Sequence, residues 1–132
     1  MAVPHPAQFS AAWEAAWNAR DLDAVLAHFH DDVVFTSPVA ARIVPDTGGI
    51  VRGKAELRAY CTAGLRLVPD LHFTVEDVYA GISILVLQYR NQRGDVVDEV
   101  LLFDDDGLVV EGHGTARTGG VHATGEPTSQ GA

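Results

Sequence analysis

Between Leu65 and Leu71 the hydrophobic pattern of this 132-residue chain changes period, and that change constrains the fold more than any other feature. Ahead of it, Phe9, Trp13 and Trp17 recur every four positions in the Ala-rich stretch from Gln8 to Ala19, so they share one helix face. Asp21 reads as an N-cap that restarts a second short helix, with Leu22, Val25, Leu26 and Phe29 at helical spacing. Gly53 to Leu65 is a third helix, with Leu57, Tyr60, Cys61 and Gly64 on its apolar face. Beyond the change, Leu71, Phe73 and Val75 alternate, Ile82 to Arg90 is a nearly continuous apolar strand, and Val96 to Phe103 and Leu108 to Ala116 follow. The turns Asn91-Gln92-Arg93-Gly94 and Asp104-Asp105-Asp106-Gly107 are hairpin signals. Helices followed by a meander whose connections are too short for crossover helices give an α+β fold, not a parallel α/β one.

One more strand lies among the helices. Val33 to Ser37 is β-prone and is stopped by Pro38, while residues 39–52, with Pro45, Asp46, Gly48 and Gly49, read as an irregular loop beside a pocket mouth. The folded unit is expected over residues 8–117, with a flexible lead-in over 1–7 and a flexible Gly-, Ser-, Thr- and Pro-rich tail over 118–132. At 14.1 kDa this is one domain, large enough to bury a core without staples.

Nine Lys and Arg against eighteen Asp and Glu give a net charge of -9, which repels phosphate backbones and argues against nucleic acid as a partner. No segment approaches the ~18 consecutive apolar residues of a membrane span, so no membrane partner is expected either. The start lacks a signal-like basic and apolar region, and the one cysteine, Cys61, cannot form an internal disulfide. A cytoplasmic protein is the expectation. His28, Phe29, His30, Asp31 and Asp32 invite a metal reading, but His28 and His30 do not share a helix face and no second cluster completes a site. No metal and no organic cofactor are expected.

The run AAWNARDLDAVLAHFHDDVVFTSP, followed by RGKAELRAY and then FDDDGLVVEGH, resembles the nuclear-transport-factor-2-like superfamily, in particular its SnoaL-like and ketosteroid-isomerase-like branches. The resemblance spans about residues 8 to 116. It implies a cystatin-like α+β roll, in which three N-terminal helices close a curved antiparallel sheet around a cone-shaped pocket. It also implies a homodimer paired through the outer face of the sheet. It implies no single reaction, because this scaffold hosts isomerases, cyclases, dehydratases, epoxide hydrolases and structural adaptors.

Strand parity selects the candidate site residues. If Phe35 points inward, so does Ser37; if Leu101 and Phe103 point inward, so does Glu99, while Asp98 faces out. In ketosteroid-isomerase-like relatives the residue before the proline is an aspartate base, where this chain has Ser37, and a protonated carboxylic acid stands at the position of Glu99. Trp13 takes the place of their hydrogen-bonding tyrosine. SnoaL-like cyclases carry a histidine and an aspartate two apart on the last strand, where this chain has Gly112 and Gly114. His113 between them faces out in a regular strand, and a bulge at either glycine would turn it inward.

Glu99 is thus the leading catalytic candidate, with burial expected to raise its pKa. Ser37 and His113 are the supporting candidates, and Trp13, Trp17, Phe35, Tyr60, Cys61, Leu101 and Phe103 are the candidate pocket lining. The expected function is a cofactor-independent isomerase, cyclase or epoxide hydrolase using general acid/base chemistry on a small apolar cyclic or polyketide-like molecule. The alternative is a non-catalytic binding or dimerisation module, favoured by the loss of both family base positions.

Overall fold

A computed structural model of the chain describes residues 3–119. The expected tail over 118–132 lies almost wholly outside the described residues. Helix α1 runs Pro6–Asn18, two residues earlier than the apolar spacing suggested. Pro6 sits at its first turn, where a missing N–H costs nothing, and the His5 ring accepts from the Gln8 N–H at 3.4 Å. Val3 already packs against the core, so the described part of the lead-in is not detached. After α1 the chain turns through Arg20, at a left-handed φ of 58°. Asp21 then caps helix α2, Leu22–Leu26, by accepting from the Ala24 N–H at 3.1 Å.

Strand β1 spans Phe29–Thr36, so Phe29, expected on the second helix, opens the strand instead. The segment expected to be a loop holds helix α3, Pro38–Ile43, a 3₁₀ turn over Pro45–Thr47, and strand β2, Ile50–Arg52. Each piece is too short for hydrophobic periodicity to register. Helix α4 is Lys54–Leu67, so the described residues hold four α-helices, not three. Strands β3 Thr74–Ala80, β4 Ile84–Arg90, β5 Val96–Phe103 and β6 Val109–His113 complete the elements of the described residues.

The six strands form one open, curved sheet in the order β2-β1-β6-β5-β4-β3. Strands β3 to β6 are the expected antiparallel meander. The sheet as a whole is mixed, because β1 pairs parallel with β6. These two strands are the first and last of the sheet in chain order, so everything between them serves as the connection that a parallel pair requires. Helix α1 packs on β3, and α4 packs on β1 and β2. The side chain of Asn18 fastens α1 to the meander by bonding both the N–H and the C=O of Phe73, each at 2.8 Å. Alternation along β4 and β5 buries Leu85, Leu87 and Tyr89, and Val97, Glu99, Leu101 and Phe103, on the helix side. Among the described residues no helix is long and apolar enough to cross a membrane.

Candidate functional site

Side chains from all four helices border a space above the sheet that they do not fill. A cavity of about 80 Å³ remains, by the measure in which one water needs roughly 10–15 Å³. Apolar groups such as Trp17, Phe35, Leu57 and Phe73 form most of its wall, and Ser37, Tyr60, Cys61, Tyr89, Glu99 and Gly114 supply the rest.

Glu99 reaches this cavity by the parity of β5 and is only 7% exposed. Burial raises its pKa to about 7, against the opposing effect of the Tyr89 hydroxyl, which donates to its Oε1 at 3.4 Å. A carboxyl with that pKa exists in both protonation states near neutrality, which suits proton transfer in either direction. Tyr89 is itself wholly buried and held well above the usual phenol range by burial and then by the neighbouring Glu99 charge.

Ser37 stands at the end of β1, 7% exposed, where it caps α3. Its Oγ accepts the Val39 N–H at 3.0 Å and lies 3.4 Å from the Tyr60 hydroxyl. Tyr60, reaching in from α4, is pushed up to about 12 by burial, with the Ser37 hydrogen bond opposing. Cys61 is pushed up to about 12 by burial and then by Glu99, so it is a neutral thiol and a poor nucleophile.

Register places the two polar stations on one row. Phe35, Gly112 and Leu101 are partners across β1, β6 and β5. Two residues further along, the row reads Ser37, Gly114 and Glu99; the Gly114 N–H donates to the Thr36 carbonyl at 2.8 Å and Thr115 bonds Asp98, as this register requires. A Cβ on Gly114 would sit 3.2 Å from Ser37 Oγ, so the glycine keeps the floor between the two stations clear.

The structure separates other candidates from this group. His113 lies on the outer face of the sheet, with Nδ1 2.6 Å from Thr36 Oγ1 and Nε2 2.6 Å from a Glu111 carboxylate oxygen. The strand stays regular through Gly112 and Gly114, so no bulge turns the imidazole inward. Trp13, Leu101 and Phe103 face the interior as expected but belong to solid core, not to the cavity wall. Trp13 stacks on Phe73 with centroids 5.4 Å apart, and Phe9 meets Phe103 edge-on at 5.3 Å. Trp17, Phe35, Tyr60 and Cys61 do line the cavity. Sequence reading missed Tyr89 as the partner of Glu99. Its signal was a lone hydroxyl-bearing residue in phase with Leu85 and Leu87 on an otherwise apolar face of the strand.

Comparisons with known proteins agree with this fold. The family model for a SnoaL-like domain matches residues 10–131. A SnoaL-like protein of unknown function from Burkholderia thailandensis is 36% identical, with 85% of this chain and 98% of that one covered at a TM-score of 0.78. TerC, co-crystallised with polyporic acid, is 16% identical over 80% of this chain and 86% of its own, with a TM-score of 0.67. A candidate polyketide cyclase from Sinorhizobium meliloti is 12% identical over 79% and 90%, with a TM-score of 0.65. These last two share the fold. None of the curated proteins matches the chain. On the family match and the 36% identical relative, the chain belongs to the SnoaL-like domain family, within the nuclear-transport-factor-2-like superfamily.

Proposed function

We propose that this SnoaL-like protein is an enzyme that moves a proton on a small, mostly apolar molecule, with Glu99 as the group that carries it. One observation supports the reading above the others: a single carboxyl, raised to about 7 by burial, faces a largely apolar cavity and has a hydroxyl partner in Tyr89. The neighbouring folds that hold polyporic acid or carry a polyketide-cyclase assignment are consistent with a cyclic, polyketide-like ligand. Isomerisation and cyclisation both begin with such a proton transfer, and neither requires an organic cofactor.

Solvent deuterium exchange at the acidic CH₂ of 2-indanone, followed by proton NMR, tests this directly. The wild-type protein is expected to accelerate exchange over buffer, and Glu99→Gln to lose roughly 10²–10⁴-fold of that rate. The second reading, a binding module without catalysis, draws on Ser37, Gly112 and Gly114 at the stations where relatives keep their bases. It would appear as saturable 2-indanone binding with exchange no faster than buffer. Pairing with a second copy through the outer sheet face belongs to the same proposal. Val86, Val100 and Leu102 are partly exposed there, and light scattering on Val100→Lys is expected to report a smaller particle than wild type.

A further inference from the structure

The hydrogen bonds around Ser37 have a direction. A serine hydroxyl offers one hydrogen and two lone pairs. The Val39 N–H takes one lone pair at 3.0 Å. The Tyr60 hydroxyl, 3.4 Å away, is the stronger acid of the two and donates to the other. Both lone pairs are then occupied, and the Ser37 hydrogen has no acceptor among the described residues. It lines the cavity, beside the clear floor left by Gly114. A buried donor without a partner costs roughly 1–3 kcal/mol, which a ligand oxygen would relieve.

The geometry points to Ser37 as a catalytic hydrogen-bond donor that holds a substrate carbonyl oxygen, so that the pocket takes neutral carbonyl compounds whose acidic C–H lies toward Glu99. The inference rests on the reading of Glu99 as the proton carrier. Neighbouring strands lie roughly 4.7–4.9 Å apart, so Ser37 and Glu99, two strands apart with Gly114 between, flank a gap of roughly 10 Å between backbones. A flat molecule lying over Gly114 touches both. No Lys or Arg is among the residues lining the cavity, and the charges of Arg42 and Arg58 reach Tyr60 and Cys61 only through space, so Glu99 is the charged group an anionic substrate would meet directly.

In the reaction, the Glu99 carboxylate takes a proton from the carbon next to the carbonyl. The C–H electron pair becomes a C=C bond, and the carbonyl oxygen takes up the negative charge. Ser37 keeps its proton and donates a stronger hydrogen bond to that oxygen. The bonds arriving from Tyr60 and Val39 polarise its O–H in the required sense. Return of the proton from Glu99 to the same or a conjugated carbon closes the cycle with no other reactant. Tyr60 acts through Ser37 and is a positioning residue. Compared with the isomerase-like pattern, the same two stations exchange duties: the donor stands before the proline, and the base on β5.

The 2-indanone exchange assay separates the parts. Ser37→Ala is expected to lower exchange about 10²-fold, the usual cost of one such donor. Ser37→Asp keeps an acceptor that can cap α3 but presents none of the donor, and is expected to fall at least as far. Tyr60→Phe should fall several-fold, and that fall should vanish in the Ser37→Ala background, which a merely structural tyrosine would not do. If Ser37→Asp exchanges as fast as wild type or faster, the base belongs at position 37 and the inference is wrong. If Ser37→Ala matches wild type while Glu99→Gln is inactive, the carbonyl is held elsewhere, and only the role of Glu99 survives. Wild-type protein no faster than buffer removes both.

Discussion

Along β5, Glu99, Leu101 and Phe103 face the same side of the sheet, yet they end in different surroundings. Leu101 and Phe103 are buried in core away from the cavity, and Phe103 meets Phe9 of α1 edge-on. Glu99 lies in the half where Ser37, Tyr60 and Gly114 border a cavity. Phe73, stacked on Trp13, and Tyr89, tilted against it, both also face the cavity. Strand parity decides which side of the sheet a residue faces; how completely neighbouring side chains fill the space on that side decides whether it is core or pocket. The polar groups with chemistry sit where packing is incomplete.

The sharpest way to break this contrast is to hollow out the solid half. Trp13→Ala is expected to cost about 3–5 kcal/mol in denaturant unfolding, as large truncations in sealed cores do. Trp17→Ala opens onto existing space and should cost clearly less. Equal costs would mean that the two halves are packed alike.

Next in size is the pH dependence of stability. Glu99 has a folded pKa of about 7 against an ordinary value of 4.5, so the native state binds its proton more tightly than the unfolded chain does. Its contribution is therefore fully present below about 4.5 and lost as the pH rises to about 7. The loss amounts to about 3 kcal/mol. The difference in unfolding free energy between Glu99→Gln and wild type should widen in favour of the glutamine across that interval. A difference that stays flat would place Glu99 in water, not in the pocket.

The sequence carried the inside-outside assignment well and the packing assignment poorly. Alternation put Glu99 and Ser37 inward and His113 outward, because period two is a local property of a strand. Trp13, Leu101 and Phe103 were expected in the pocket because nothing local in the sequence distinguishes an inward side chain that is packed over from one that borders a cavity, as Trp13 and Trp17 of one helix show. The parallel pairing of β1 with β6 was hidden for the same reason: it joins residues some 75 positions apart, as Thr36 with His113. Helix α3 and strand β2, three to six residues each, are stabilised by the Ser37 cap and by pairing with β1, not by a pattern of their own. Tyr89 became visible as a partner only once β4 was paired with β5.

Gly112 of β6 and Gly114 just beyond it offer a finer test. A Cβ on Gly112 would meet the Phe35 ring at 2.9 Å, so Gly112→Ala is expected to cost about 1–3 kcal/mol by overpacking. Gly114→Ala meets only Ser37, at 3.2 Å, and should cost less stability while slowing exchange by crowding the floor between Ser37 and Glu99. The smallest effect concerns Cys61. Held near 12, its thiol should react with iodoacetamide at pH 8 far more slowly than a free cysteine, and reach ordinary rates only on unfolding. Fast native labelling would show the cavity to be wetter and more open than its lining indicates.

The central claim is that a single buried carboxyl is tuned toward neutrality by this half-filled chamber. It is tested most directly by carbon-13 NMR titration of the Glu99 carboxyl, assigned by its loss in Glu99→Gln. A midpoint near 7 is the expected result; a midpoint near 4.5 would contradict the claim and leave the pocket without its proton carrier.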